Sequence, residues 1–277
     1  MTAVNLPLLL QPDELASCLG ADNLLIVDLS LPGHYAEGHV PGAIRLDYPS
    51  ILYTHGATDC DIPPGDVFSK ALSQIGFTKN HHVIAYDRQS NPMACRLLWT
   101  LAEFGHTKHS LLDGGWHAWC DGNLPAEQTI NTPEPSHYYG ARKGIALAKK
   151  RYILERLNDP DVIMLDTRMN EEFTNELIMT DRGGKIPGAV HFDWMDAIDE
   201  DNSHRIRKPE DISPILQEMG VVPEKEIITY CQTHLRSAHT YFVLKLLGYQ
   251  RVLGYAAGYS EWGNDLETPI ENEQEAT

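Results

Sequence analysis

The chain has 277 residues, 42% hydrophobic and 22% charged, which is typical of a globular protein with one large domain or two of medium size. Its 39 acidic residues outnumber 22 basic ones, and the formal net charge of −17 disfavours nucleic acid and anionic membranes as partners. No apolar run approaches the roughly eighteen residues that a membrane helix needs. We therefore expect a cytoplasmic protein without a nucleic-acid or membrane partner.

The two halves of the chain repeat one pattern in the same order. The shared features are an apolar run ending in Asp, a Pro-Gly-Ala turn, a second apolar run and a glycine-aromatic segment. They occur at Leu24–Asp28, Pro41–Ala43, His82–Tyr86 and Gly115–Trp119, and again at Val162–Asp166, Pro187–Ala189, Glu226–Tyr230 and Gly258–Trp262. The offset between equivalent segments stays between 138 and 146 residues, which indicates a tandem duplication.

The fold class follows from the alternation of elements within each repeat. Short apolar runs alternate with helix-like segments, and this alternation predicts an α/β fold with a parallel sheet covered by helices on both faces. A polar, proline-containing stretch separates the repeats. We predict two tandem domains, 1–125 and 146–277, joined by a linker over 126–145.

One cysteine lies at the predicted carboxyl end of a strand, where ligands bind in such a sheet. Cys231 directly follows the run that ends at Tyr230 and precedes a helix expected to begin near Ser237. Ligands of open α/β sheets bind at the carboxyl ends of the strands, and N–H groups leading into a helix favour an anion. We expect Cys231 to be a nucleophile with a lowered thiol pKa. Donors to its sulfur are expected from Thr233, His234 and Arg236.

The other interpretations of the cysteines are less specific. The five cysteines are odd in number and form no CxxC pair, so neither a disulfide framework nor a structural metal site is expected. Zinc bound by Cys231, His234 and His239 is a weaker alternative, since it supplies at most three ligands. An inert thiol is the usual state of a lone cysteine and is the expected one for Cys18, Cys60, Cys95 and Cys120.

These features resemble the tandem-domain rhodanese family of sulfurtransferases over nearly the whole chain. The resemblance depends on the repeated Pro-Gly-Ala turn, the pattern Asp166-Thr167-Arg168-x-x-x-Glu172-Phe173 and the six-residue loop from Cys231 to Arg236. The loop sequence CQTHxRS is most similar to bacterial thiosulfate sulfurtransferases.

The resemblance implies covalent catalysis without a cofactor or metal. The thiolate would take the outer sulfur of a small anionic donor, thiosulfate, and pass it from a persulfide to cyanide or a thiol, including a protein thiol. A monomer is expected. The residues implied to bind substrate or stabilise the persulfide of Cys231 are Gln232, Thr233, His234, Leu235, Arg236 and Arg168. For Arg168, a structural role beside Asp166 is an equal alternative.

Two departures from the family pattern bear on function. Asp87 aligns with Cys231, and a carboxylate cannot carry a persulfide, so we expect the first domain to be catalytically silent. Glu172 stands where better-known members have a basic residue. Members that use 3-mercaptopyruvate also have a glycine- and serine-rich loop, which this chain lacks. Both departures disfavour 3-mercaptopyruvate as the donor, and it is kept as an alternative.

Two further functions remain as alternatives. A persulfide carrier or interaction module would share the loop chemistry, and only a turnover assay separates it from an enzyme. A cysteine phosphatase or arsenate reductase needs an arginine six residues after the cysteine, to hold an oxyanion. Here Arg236 is the fifth residue after Cys231, which disfavours that function.

Overall fold

The computed structural model describes residues 6–55 and 58–272, which form two compact units. The first unit comprises residues up to 53, 63–143 and 199–206, and the second comprises 54–62, 144–198 and the residues from 207 onward. Two short segments are therefore assigned to the unit of the opposite half of the sequence. The domain boundaries at 125 and 146, which follow from the sequence repeat, remain a prediction.

In the described residues before 144, the elements form a five-stranded sheet, a two-stranded sheet, five α-helices and one 3₁₀ helix. In chain order they are β1 (Leu9–Leu10), α1 (Pro12–Cys18), β2 (Leu24–Asp28), α2 (Pro32–Glu37), β3 (Ile44–Arg45), a 3₁₀ helix (Tyr48–Ile51), β4 (Tyr53–His55), β5 (Thr58–Asp61), α3 (Gly65–Gln74), β6 (His82–Tyr86), α4 (Pro92–Glu103), β7 (His109–Leu112) and α5 (Gly115–Asp121). The large sheet has the order β1-β7-β6-β2-β3, with parallel pairing throughout.

The elements from residue 144 onward repeat this arrangement. They are β8 (Leu147–Ala148), α6 (Lys150–Leu154), β9 (Val162–Asp166), α7 (Asn170–Phe173), β10 (Val190–His191), a 3₁₀ helix (Trp194–Ala197), β11 (Ile198–Asp199), a 3₁₀ helix (Glu200–Asn202), β12 (Arg205–Ile206), α8 (Pro209–Glu218), β13 (Glu226–Tyr230), α9 (Arg236–Leu246), β14 (Val252–Tyr255) and α10 (Gly258–Asn264). The second large sheet has the order β10-β9-β13-β14-β8, again parallel.

The two large sheets have the same strand order, which confirms the predicted α/β class. Each repeated apolar run occupies an equivalent strand, so that β6 and β13 are both central. Central strands are covered on both faces, and all five residues of β6 are accordingly buried. Residues that follow these strands lie at the carboxyl edge of each sheet, where ligands bind in this architecture.

The Pro-Gly-Ala turns are tied to the central strands by a repeated tyrosine. The N–H group of Val40 donates to the hydroxyl of Tyr86 at 3.0 Å, and that of Ile186 donates to the hydroxyl of Tyr230 at 3.3 Å. Gly42 has a φ of +77°, a backbone region that glycine enters without steric cost. The repeated turn thus has a structural role in each unit.

None of the helices in the described parts of the chain has both the length and the apolar character needed to cross a membrane. The cytoplasmic location stays a prediction.

Candidate active site

The cysteine loop begins at the carboxyl end of the central strand of the second unit. Cys231 directly follows β13, which lies between β9 and β14. Helix α9 begins at Arg236, one residue before the predicted start, so the loop spans only a few residues. Cys231 is 1% exposed and therefore lies at the base of this short loop.

The loop is shaped by contact with the start of helix α10. The carbonyl groups of Cys231 and Gln232 accept hydrogen bonds from the N–H groups of Tyr259 and Ser260, at 2.7 and 3.0 Å. Gly258 has a φ of +57°, and a Cβ atom there would lie 2.4 Å from both loop carbonyl oxygens. Only glycine permits this approach. These two carbonyls therefore bind α10, whereas the N–H groups of Thr233 and Ser237 act on the sulfur.

The thiol of Cys231 lies among groups that stabilise its anion. Burial by itself raises the thiol pKa, but the charge of Arg236, the hydroxyl of Ser237 and the backbone N–H groups of Ser237 and Thr233 together hold the pKa below its usual value. A lowered pKa increases the thiolate fraction near neutral pH, and the thiolate is the nucleophilic form. The expected activation of this cysteine thus has a physical basis in the structure.

A hydrogen-bonded chain runs from the sulfur into the protein interior. The hydroxyl of Ser237 donates to Sγ of Cys231 at 3.4 Å, and Nδ1 of His234 lies 2.7 Å from the same hydroxyl oxygen. With the serine proton directed at sulfur, the Nδ1–H tautomer of His234 donates to Ser237. His234 is fully buried, so this chain fixes the serine rather than exposing the imidazole to a substrate.

Arg236 is held by a carboxylate. Both terminal nitrogens of its guanidinium donate to Glu172, which is 2% exposed, and Nη2 lies 3.0 Å from Oε1. Gln232 donates from Nε2 to the same Oε1 at 3.0 Å. Burial raises the pKa of Glu172, but its bonds with Arg236 and Gln232 outweigh burial and keep the pKa low. Glu172 is therefore part of the loop's charged surroundings.

Arg168 is bound by a buried carboxylate and a backbone carbonyl. Its guanidinium donates to both carboxylate oxygens of Asp166 and to the carbonyl of Gly184 at 2.9 Å, and it lies 4.1 Å from the ring centre of Tyr259. Tyr230 also donates to Asp166, at 2.8 Å. These contacts support a structural role for Arg168 and give no support to the predicted anion contact.

The remaining predicted residues contribute in different ways. Thr233 contributes its backbone N–H to the thiolate, and Leu235 is the residue that precedes helix α9. His239 packs edge-on against Trp194, with ring centres 5.6 Å apart, which gives it a packing contact. Within residues 6–55 and 58–272 no group of three or more His, Cys, Asp or Glu side chains is arranged to hold a metal ion.

Sequence reasoning missed two residues that shape this site. Ser237 is predicted from the sequence only as a helix start, although a hydroxyl beside the loop arginine is a signal for a thiolate donor. Gly258 is visible in the sequence only as part of a repeated segment. Its counterpart Gly115 has a φ of +53° and a similar close approach to the carbonyl of Asp87, so the shared glycine was the available signal.

The equivalent loop of the first unit contains its own anion. The carboxylate of Asp87 accepts four backbone hydrogen bonds within this loop and the start of α4, and it is 1% exposed. The donors lie at 2.7–3.1 Å and are the N–H groups of Gln89, Asn91, Met93 and Ala94. Burial raises the pKa of this carboxyl, and the N–H groups oppose the rise. An aspartate thus fills the position that a sulfur occupies in the second unit.

For three of the other cysteines the thiol pKa is shifted in the opposite direction. Burial raises the thiol pKa of Cys18, Cys95 and Cys120, most strongly for Cys95, which is fully buried in α4. A raised pKa reduces the thiolate fraction and the reactivity. The contrast with Cys231 agrees with the inert state expected for these three.

A buried cysteine with a lowered thiol pKa lies at the carboxyl edge of a duplicated parallel sheet, and this arrangement defines a class of two-domain α/β proteins. Comparison with known proteins identifies the class. The rhodanese-like domain matches residues 11–121 and 150–265. The chain therefore belongs to the rhodanese family, as a tandem-domain sulfurtransferase.

Its relatives share nearly its full length. It is 36% identical over 267 residues to a thiosulfate sulfurtransferase of Azotobacter vinelandii, covering 96% of this chain and 98% of the relative. It is 34% identical to a thiosulfate sulfurtransferase of Pseudomonas aeruginosa, with the same coverage. In fold it is similar to the 3-mercaptopyruvate sulfotransferase SseA of Escherichia coli, with a TM-score of 0.82 and 24% identity over 91% of this chain and 98% of SseA.

Proposed function

We propose that this sulfurtransferase moves sulfane sulfur from thiosulfate to cyanide or a thiol through a persulfide on Cys231. The thiolate attacks the outer sulfur of thiosulfate, the S–S bond of the donor breaks, and sulfite leaves with the bonding electron pair. The acceptor then attacks the terminal sulfur of the persulfide. Thiocyanate or a new persulfide forms, and the thiolate is regenerated.

The observation that carries this proposal is the set of donors around the sulfur of Cys231. A persulfide, like a thiolate, is an anion at neutral pH, so the groups that lower the thiol pKa also stabilise the intermediate. The loop is short, and its arginine follows the cysteine by five residues rather than six. These features favour sulfur transfer over phosphate or arsenate chemistry.

The choice of thiosulfate is supported by the relatives and by the sequence of the loop. The relatives from Azotobacter vinelandii and Pseudomonas aeruginosa are thiosulfate sulfurtransferases. The loop from Gln232 to Leu235 is not the glycine- and serine-rich sequence that the family resemblance associates with 3-mercaptopyruvate. Thiosulfate is therefore the donor we propose, with 3-mercaptopyruvate as the alternative.

A turnover assay tests the proposal. Thiocyanate formation from thiosulfate and cyanide should proceed over many cycles in the wild type and be lost in Cys231→Ser. Cys120→Ser is the matched control, because Cys120 is exposed and its thiol pKa is raised, and it should retain the activity. Thiocyanate that stops at one equivalent per chain would instead indicate a persulfide carrier.

A further inference from the structure

We propose that Glu172 sets the donor preference of this site, by taking up the charge of Arg236 and so disfavouring donors with two negative charges relative to donors with one. This proposal rests on the proposed sulfur transfer at Cys231. It assigns the residue that departs from the family pattern to a specificity-determining role. Thiosulfate remains the proposed donor, and sulfane-sulfur compounds with a single negative charge are the further donor class that this charge arrangement admits.

The geometry commits Arg236 to Glu172 on both of its terminal nitrogens. The carboxylate is held in place by two further donors, Nε2 of Gln232 at 3.0 Å and the backbone N–H of Met169 at 3.2 Å. A planar guanidinium and a carboxylate that meet through two parallel hydrogen bonds form a strong and well-oriented pair. Arg236 therefore cannot turn both nitrogens toward a donor without breaking this pair.

The three interacting groups Cys231, Arg236 and Glu172 then sum to a negative charge, and the neighbouring Asp193, which also interacts with Arg236, supplies no positive charge. Thiolate and carboxylate each contribute −1, and Arg236 contributes +1, so the three groups together carry −1. The guanidinium interacts with both the thiolate and Glu172. Each negative charge on an approaching donor is repelled by this sum, and a dianion is repelled more than a monoanion.

No second arginine compensates for this charge at the positions where the sequence predicted anion contacts. Arg168 is 2% exposed, and its guanidinium lies 2.6 Å from a carboxylate oxygen of Asp166. Both predicted anion contacts are thus paired with buried carboxylates. The backbone N–H groups remain to bind the donor, and they carry only partial charges.

The test compares two donors of the same sulfur chemistry but different charge. Thiosulfate is a dianion, whereas methanethiosulfonate is a monoanion whose outer sulfur is transferred as methanesulfinate leaves. Glu172→Gln removes one charge and keeps the side-chain size. At about 8 Å and an effective dielectric constant near 20, one unit charge changes an equilibrium by up to about thirtyfold before salt screening.

In Glu172→Gln, the ratio of kcat/KM for thiosulfate to kcat/KM for methanethiosulfonate should therefore rise by about three- to tenfold. The thiol pKa of Cys231, measured from the pH dependence of alkylation by neutral iodoacetamide, should fall. Glu172→Asp keeps the charge and should keep the wild-type ratio. Glu171→Gln is the matched control, since the neighbouring Glu171 is exposed, and should change the ratio by less than about twofold.

A role in positioning alone would have the opposite sign. If Glu172 only orients Arg236, its removal lets the arginine move away from the sulfur, the thiol pKa rises, and both donors lose rate by the same factor. That result would overturn the proposal. Failure of the proposed function would look different: wild-type protein would form no persulfide with either donor, while the alkylation comparison could still be made.

Discussion

Arg236 is shared between two anions, the thiolate of Cys231 and the carboxylate of Glu172. The arginine lowers the pKa of both groups, because each anion is stabilised by the same positive charge. Its removal would leave Glu172 buried without its cationic partner, and an uncompensated buried charge is costly. The residue therefore supports both the nucleophile and the carboxylate beside it.

Replacement of Arg236 by alanine should raise the thiol pKa of Cys231 and weaken sulfur transfer. A lost hydrogen bond to a charged group costs about 1.5–3 kcal/mol, which corresponds to a drop in kcat/KM of about ten- to a hundredfold. Arg236→Lys should recover only part, since an ammonium group cannot form the paired contact with Glu172. Thiosulfate kinetics and the pH profile of alkylation measure both effects.

Arg251→Ala is the control for this experiment. Arg251 is exposed, and it pairs with Glu226 at the opposite end of β13, at 3.5 Å. This variant should match the wild type in both measurements. An unchanged thiol pKa and unchanged kinetics in Arg236→Ala would show that Arg236 has no part in the chemistry.

The loop between the central strand and the following helix is built the same way in both units. A glycine with positive φ approaches the loop carbonyl in each, and the next residue donates its N–H to it, Trp116 to Asp87 at 3.1 Å and Tyr259 to Cys231 at 2.7 Å. Donors of the loop converge on a buried acidic group in both cases. This group is the carboxyl of Asp87 in the first unit and the sulfur in the second.

Replacement of Asp87 by alanine should destabilise the protein and leave sulfur transfer within a few-fold of the wild type. A buried donor left unsatisfied costs about 1–3 kcal/mol, so the loss of four partners should lower the free energy of unfolding by at least about 2 kcal/mol. Added formate can occupy the vacated position and should restore part of this loss, as measured by urea unfolding.

In a control experiment, chloride replaces formate at the same ionic strength. If formate restores stability and chloride does not, formate acts by occupying the loop and not as a general salt. Asp13→Ala removes an exposed carboxylate from α1 and should change stability by less than about 0.5 kcal/mol. Loss of turnover in folded Asp87→Ala would show that the first unit takes a direct part in the chemistry.

The sequence predicted the long elements of the fold and the position of Cys231 after a central strand. The repeated apolar runs correspond to strands, with β2 at Leu24–Asp28 and β13 at Glu226–Tyr230 as expected. Two-residue strands such as β3 are too short to leave a periodic signal. The pairing of Glu172 with Arg236 joins residues 64 positions apart and depends on side-chain direction. The local sequence pattern carries no information about such a long-range contact. For Arg168 the sequence does not distinguish an anion contact from a structural role beside Asp166.

The net negative charge of the protein repels the proposed donor, thiosulfate. A protein with a net charge of −17 repels a dianion at long range, while the groups that favour the donor lie within the loop. Screening reduces the long-range repulsion first, because the Debye length falls from about 30 Å at 0.01 M salt to about 10 Å at 0.1 M.

We therefore expect kcat/KM for thiosulfate to rise by a few-fold when inert salt increases from about 0.01 to about 0.1 M. The rate of alkylation by iodoacetamide, which is neutral, is the reference and should change less. A fall in kcat/KM with salt would mean that local positive charge steers the donor, contrary to the paired arginines seen in the structure.

The most direct test of the account is the intact mass of the protein before and after thiosulfate, and again after cyanide. Covalent catalysis at Cys231 predicts a gain of one sulfur atom, about 32 Da, which cyanide then removes. Cys120→Ser should show the same gain and loss, and Cys231→Ser should show neither. A gain of one sulfur that persists in Cys231→Ser would contradict the account, since the sulfur would then be carried by another residue.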